Sequence, residues 1–248
     1  MTELWAMSPE TLAAELERVK PDLHGYLRRM LVTSDAADDA FQNTAVRALQ
    51  ATDHAPAGIA ELRPWLFRIA TNIAIDEIRR LGRWKPDVLF ESRPKAEGDP
   101  EFVKMSMGLR STPEMQWIAK EHLVACFSCA LRTLTPERAA SLLLREVCGF
   151  TPDEIAAILG ARWTQAKNWL QEARQQMQSY YEGRCALVRK DGICYQCAEL
   201  AEFFNGEREN PLANDGRLDA RLRVLNELRH AKENPWHRRL FAVFDELE

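Results

Sequence analysis

Apolar residues recur along this chain at intervals of three and four, the spacing of amphipathic helices, and nothing in it reads as the strand pattern of a thioredoxin-like fold. Over residues 9–31 the buried face is written by Leu12, Leu16, Val19, Leu23, Tyr26, Leu27 and Met30, with Pro21 placed to divide or kink the helix. The next helix opens at Ser34 as cap, with Asp35, Asp38 and Asp39 against its positive end. Its inner stripe is Phe41, Ala45, Ala48 and Leu49, and a loop with proline and glycine closes it over residues 53–58. The third helix, over residues 61–85, turns Leu62, Trp65, Leu66, Ile69 and Ile73 inward and Arg68, Asn72, Asp76, Arg79 and Arg83 outward. An arginine-rich front on an apolar back suits a phosphate backbone, although most charged helix faces are only solvated.

From residue 86 to 112 the periodicity fails. Up to Pro113 that run has four prolines, two glycines and mixed charge, and it reads as a flexible linker. Helical spacing resumes at Met115, Ile118, His122 and Val124, then again over residues 136–148, where Gly149 can end the helix. Thr151-Pro152-Asp153-Glu154 is a capping box with proline at the first helical position. Ile155, Ile158 and Leu159 follow as a buried face, and Gly160 makes a turn. The succeeding helix keeps Ala166, Leu170, Ala173 and Met177 inside. Gln165, Lys167, Asn168, Gln171 and Arg174 point outward, as a major-groove helix requires. The expectation is an all-α protein of two small helical domains joined by a flexible linker. The segments are 1–85, a linker 86–112, a helix-turn-helix domain 113–182 and a cysteine-containing extension 183–248. In the tail, Trp236, Leu240, Phe241 and Phe244 share a face, for packing on the second domain or for docking a regulator.

Charge narrows the function. At 248 residues and a net charge of −4 the chain is no general DNA coat, which would be basic. The basic character is local: residues 61–85 hold six Arg and Lys against three acids. The amino-terminal stretch has early acids and no apolar core of a leader, and no run approaches a membrane span, so a cytoplasmic, soluble protein is expected.

All six cysteines lie at or beyond Cys126. Cys126 and Cys129 form one CxxC pair and Cys194 and Cys197 another, the donor set of a four-thiolate zinc site, with Cys185 as a further candidate ligand. Redox-active thiols and plain core packing are the competing readings. Cys148, alone on a leucine-rich helix, reads as packing, and His122, one turn before Cys126, is left out of the metal set.

Two phrases carry a resemblance. WLFRIATNIAIDEIRR, with DAADDAFQNTAVRALQ before it, and LREVCGFTPDEIAAILGARWTQAKNWLQEARQQM resemble the two conserved regions of bacterial sigma factors of the extracytoplasmic-function type. The likeness covers roughly residues 9–180. It implies that Asp38, Asp39, Gln42 and Asn43 face the coiled coil of the RNA polymerase largest subunit, with Asn43 where an acid is usual. It implies that Asn72 reads a base flipped from the upstream promoter element while Arg68, Arg79, Arg80 and Arg83 hold the strand, Trp65 lying beneath as core. It implies that the second region reads the distal element. There Trp169 and Glu172 replace common basic residues and Arg162 a usual small cap, so altered recognition is expected. Core polymerase and promoter DNA are the implied partners, with an anti-sigma factor as a further one, and no reaction is catalysed by the chain itself. Cysteine-rich extensions on such factors look like metal or redox sensors. Two rivals stand beside this reading: a helix-turn-helix regulator acting without polymerase, and a thiol oxidoreductase built on the CxxC pairs.

Overall fold

The computed structural model describes residues 8–56, 58–82, 91, 93–101, 103–104, 115–185, 218–230, 237–239 and 241–242, at the backbone alone for 59, 93 and 115–120. Its helices are α1 (Pro9–Leu31), α2 (Ser34–Gln50), α3 (Ile59–Leu81), α4 (Arg93–Gly98), α5 (Met115–Leu131), α6 (Pro136–Glu146), α7 (Pro152–Leu159), α8 (Trp163–Arg184) and α9 (Leu218–Glu227). No strand occurs among the described residues, and the class is all-α. No described helix is long and apolar enough to cross a membrane.

Contacts gather the chain into two compact units, each from separate stretches: Met1–Leu81 with Thr135–Gln171, and Gly82–Leu134 with Glu172–Glu248. Segments that are neighbours in sequence are therefore not always neighbours in packing.

In the first unit, Ser8 caps α1 by accepting the Thr11 N–H at 3.2 Å, and Pro9 stands at the first position, where its missing donor costs nothing. All seven residues expected to form the α1 core are buried. The expected break at Pro21 does not occur. The helix runs through it because Pro21 lies on the exposed side, where the carbonyl that loses its partner can turn to water. The cap of α2 is Thr33, whose hydroxyl accepts the Ala36 N–H at 3.4 Å, and Ser34 is already helical. Its buried stripe is Ala37, Ala40, Thr44 and Ala48, while Phe41 and Ala45 are half-buried and Leu49 is exposed. Small residues win the inner positions because α2 packs on both α1 and α3. Thr44 can join them because its hydroxyl donates to the Ala40 carbonyl at 2.7 Å.

The inner face of α3 is likewise rotated from its expected line. Leu62 and Leu66 are buried as expected, but the face continues through Phe67, Ala70, Thr71, Ala74, Ile75 and Ile78, and Trp65, Ile69 and Ile73 are only half-buried. The reason is that α3 is covered by α1 and α2 and also by α6 and α7. Phe67 meets Tyr26 at 5.5 Å and Phe150 edge-on at 4.9 Å, and the hydroxyls of Thr71 and Tyr26 hydrogen-bond at 3.0 Å.

The helix-turn-helix forms as its sequence prescribes. Thr151 and Glu154 make the reciprocal capping box of α7, and Gly160 closes that helix at φ 60°, the left-handed region that glycine enters without penalty. Ala166, Ala173 and Met177 of α8 are buried and Leu170 is half-buried.

In the second unit α9 packs on α5. Leu123, Phe127, Met177, Tyr181, Leu222, Leu225 and Phe241 are buried there, together with His122, Ser128, Arg132, Arg221 and His237. Part of the expected linker is helical: α4 forms at Arg93–Gly98, since Pro94 sits in the first turn and Ala96 finds a buried place. Residues 86–90, 105–112, Arg83, Cys194, Cys197, Trp236, Leu240 and Phe244 lie outside the described residues.

Candidate nucleic-acid interface

The outward stripe of α3 is where the sequence places it. Arg68, Asn72, Asp76, Arg79 and Arg80 are all exposed. Their partners divide them. Arg79 donates to Glu137 at 2.9 Å and lies 3.6 Å from Asp76, and Arg80 is held by Glu77 at 3.0 Å, which keeps its pKa raised. Among the described residues Arg68 and Asn72, one turn apart, make no hydrogen bond or ion pair. A cation and an amide left open together on an exposed face can hold a phosphate and read a base edge. Trp65 lies between exposed and buried, so its place as core beneath Asn72 is partial.

Asp38, Asp39, Gln42 and Asn43 are exposed on one face of α2. Asp38 is paired with the His24 imidazole at 2.8 Å. Val46 and Leu49 continue the helix toward its end as exposed apolar residues, although periodicity alone places Leu49 on the inner stripe.

On α8 the side chains of Gln165, Lys167, Asn168 and Gln171 are exposed, and Arg174 is half-buried. Trp163, which periodicity did not single out, is 44% exposed at the helix start, with the Lys167 ammonium 5.1 Å from its ring centre. A single residue at a helix terminus carries no periodic signal, so only the fold could reveal it. Arg63 is a second side chain the pattern missed. It stacks over Phe150 at 4.1 Å and donates to the Cys148 carbonyl at 2.7 Å, so it serves packing and not DNA.

The cysteines distribute as follows. Cys126 and Cys129 stand one turn apart on α5, and Cys185 is buried just after α8. Arg221 of α9, only 2% exposed, donates to the Cys185 sulfur at 2.9 Å and stacks on Tyr181 at 3.7 Å. Burial would lower the Arg221 pKa, but Cys185, Tyr181 and Cys126 outweigh it and hold that pKa above the ordinary value. Beside this group, His122 and His237 face each other at 3.4 Å, and burial lowers the His122 pKa to about 4. Among the described residues no three His, Cys, Asp or Glu side chains are arranged to hold a metal ion. The sulfur of Cys185 accepts from the Arg221 guanidinium, and Cys194 and Cys197 lie outside the described residues.

The sequence is similar to those of known proteins. Residues 16–84 match Sigma-70 region 2 and residues 125–177 match Sigma-70 region 4. The ECF RNA polymerase sigma factor SigG of Mycobacterium tuberculosis is 29% identical over 185 residues, 67% of this chain and 48% of that protein. SigE of Mycolicibacterium smegmatis is 29% identical over 147 residues, 58% of this chain and 51% of its own. EcfG of Rhodopseudomonas palustris is 26% identical over 177 residues, 70% and 88% of the two chains. Both Sigma-70 regions are thus matched within this chain, and the relatives it resembles are sigma factors of the extracytoplasmic-function type. It spans about half the length of the first two relatives.

Proposed function

We propose that this chain binds core RNA polymerase and directs it to particular promoters, where it begins strand opening. The observation that carries the reading is the open pair Arg68 and Asn72 on α3, within the region 2 match, in a chain whose overall charge is −4. A chain of that charge gains little DNA affinity from counterion release alone, so its approach to DNA needs a partner already on the duplex. Asp38, Asp39, Gln42 and Asn43 form the surface for the polymerase coiled coil. Arg68, with Arg79, Arg80 and Arg83, holds the displaced strand, and Asn72 reads an extruded base. Extruding that base costs a few kcal/mol, which the strand contacts and base-edge hydrogen bonds offset. Gln165, Lys167, Asn168, Gln171 and Arg174 read the distal element. The chain itself makes and breaks no covalent bond.

Its cysteines make the factor responsive to metal or oxidant. Cys126 and Cys129 with Cys194 and Cys197 would hold a zinc ion, which would supply a structural clamp and no reaction chemistry. What supports it is the thiol donor set and the single-turn spacing of the α5 pair.

Run-off transcription with core polymerase tests the main reading. Promoter-dependent transcripts that appear only when the chain is added are expected. DNA binding without any association with core polymerase would overturn it in favour of an independent regulator. Metal content, and transcription with and without metal or peroxide, tests the cysteines; unchanged output removes their regulatory role.

A further inference from the structure

We propose that the carboxy-terminal extension carries a competitor for DNA, Asp219 at the start of α9, which occupies Arg174 of the DNA-reading helix α8. The inference rests on the role given to α8 above.

Arg174 donates to the Asp219 carboxylate at 2.6 Å. One turn further along α8, Gln178 accepts the backbone N–H of Leu218 at 2.7 Å, so a side chain of α8 satisfies one of the open donors at the start of α9. These two contacts fix the first turn of α9 against the same side of α8. Arg174 lies eleven positions past Trp163, roughly 16 Å along the helix, where side chains of a groove-seated helix meet phosphates more often than bases. Asp219 in the first turn of α9 is favoured by the helix dipole, which keeps the carboxylate in place independently of Arg174.

The latch is held by a buried anchor. Leu218, Ala220, Leu222, Val224 and Leu225 are buried, and Arg221 is stacked on Tyr181 and hydrogen-bonded to Cys185, both on or just after α8. Among the described residues two nitrogens of Arg221 and the Tyr181 hydroxyl have no hydrogen-bond partner, and the contacts that hold the arginine there are those to the Tyr181 ring and the Cys185 sulfur. With α9 anchored, Asp219 is presented to Arg174 at no further ordering cost, and a promoter phosphate must displace it to gain the same guanidinium. Asp219 remains largely exposed, so the pair is an ordinary surface ion pair that tunes DNA binding and does not block it.

The test is binding of full-length chain in complex with core polymerase to duplexes selected by that complex from a randomised pool, measured against salt. Asp219→Asn is expected to tighten binding about two- to fivefold. It should also steepen the log–log salt dependence, by at most about 0.9, the value of one full phosphate contact. Glu227→Gln removes the same charge two turns along α9 and should do neither. Combined with Arg174→Ala, Asp219→Asn should have no effect. The competitor is overturned if Asp219→Asn matches Glu227→Gln, or if its effect survives in the Arg174→Ala background. Arg174→Ala that leaves binding unchanged in the Asp219→Asn background overturns instead the DNA role of Arg174, and the proposal with it.

Discussion

On α3 the buried side chains are leucine, alanine, isoleucine and phenylalanine with one threonine, whereas around α9 arginine, histidine and cysteine share the interior with the aliphatics. Both units bury polar groups and both pair some of them across the fold, as the Thr71 and Tyr26 hydroxyls do in the first, but the groups paired across it differ in chemistry. In the first unit Arg29 donates to the Gly25 carbonyl at 2.8 Å, Thr44 to Ala40 and Ser141 to the Glu137 carbonyl at 2.8 Å, all one turn back on their own helix. In the second, Arg221 and Cys185 are 36 residues apart and His122 and His237 are 115 apart. Polar groups satisfied within a helix are safe once the helix forms. Those satisfied across the fold hold only while the tertiary structure does, and their chemistry makes that structure sensitive to protons and to thiol reagents.

The sharpest way to press the contrast is Phe67→Ala in the first unit. Removing a buried ring that touches Tyr26 and Phe150 should cost about 3–5 kcal/mol, read as a lower urea midpoint, and that cost should not vary between pH 7 and pH 5. A pH-dependent cost would erase the distinction between the units.

Acidification should act on the second unit. His122 is neutral and buried beside Arg221 and His237, with a folded pKa of about 4 against an ordinary 6.5. Between those values the unfolded chain binds a proton that the folded chain refuses, so stability rises with pH and is lost as pH falls from 6.5 toward 4. The loss is on the order of 3 kcal/mol for this group. Hydrogen exchange read segment by segment, corrected for intrinsic rates, should show α5 and α9 loosening before α1 and α3; the reverse order would refute the assignment.

The two helices proposed to meet DNA should also part company. Asn168→Ala on α8 should cost about 1–3 kcal/mol of discrimination at one base pair of the distal element and leave other positions unchanged. Arg68→Ala on α3 should weaken binding evenly across sequences and reduce the salt slope by about one. Equal losses of specificity from both would mean that α3 and α8 read DNA alike. The smallest effect expected is Thr151→Ala, about 1 kcal/mol from the lost cap of α7, visible in thermal unfolding and repaired in part by Asp at the same position.

Much of this was legible before any coordinates. The core of α1 lies where its periodicity put it, because a helix covered on one side must space its apolar residues by the helical repeat. The capping box at Thr151 and Glu154 and the turn at Gly160 formed as written, because caps and left-handed turns are satisfied within a few residues. The open face of α3, with Arg68 and Asn72, was legible for the same local reason. The cap of α2 moved by one residue to Thr33, since a threonine and a serine in succession offer the same chemistry and only backbone geometry chooses between them. The inner faces of α2 and α3 turned away from their expected lines. A helix packed by two or more neighbours has more than one buried line, and pattern alone finds the strongest apolar one, not the closest-packed one.

By itself the sequence determined the helical class, the core line of α1, the capping box of α7 with its closing glycine, and the exposure of Arg68, Asn72, Asp76 and Arg79 on α3, all of which depend on neighbours within a turn or two. Only the tertiary structure decided that Arg79 is paired with Glu137 while Arg68 is open, that Arg221 stands between Cys185 and Tyr181, and that Asp219 holds Arg174. Those pairings join residues tens of positions apart, and a charge's partner is chosen by which surfaces the packed core brings together, which no local spacing encodes.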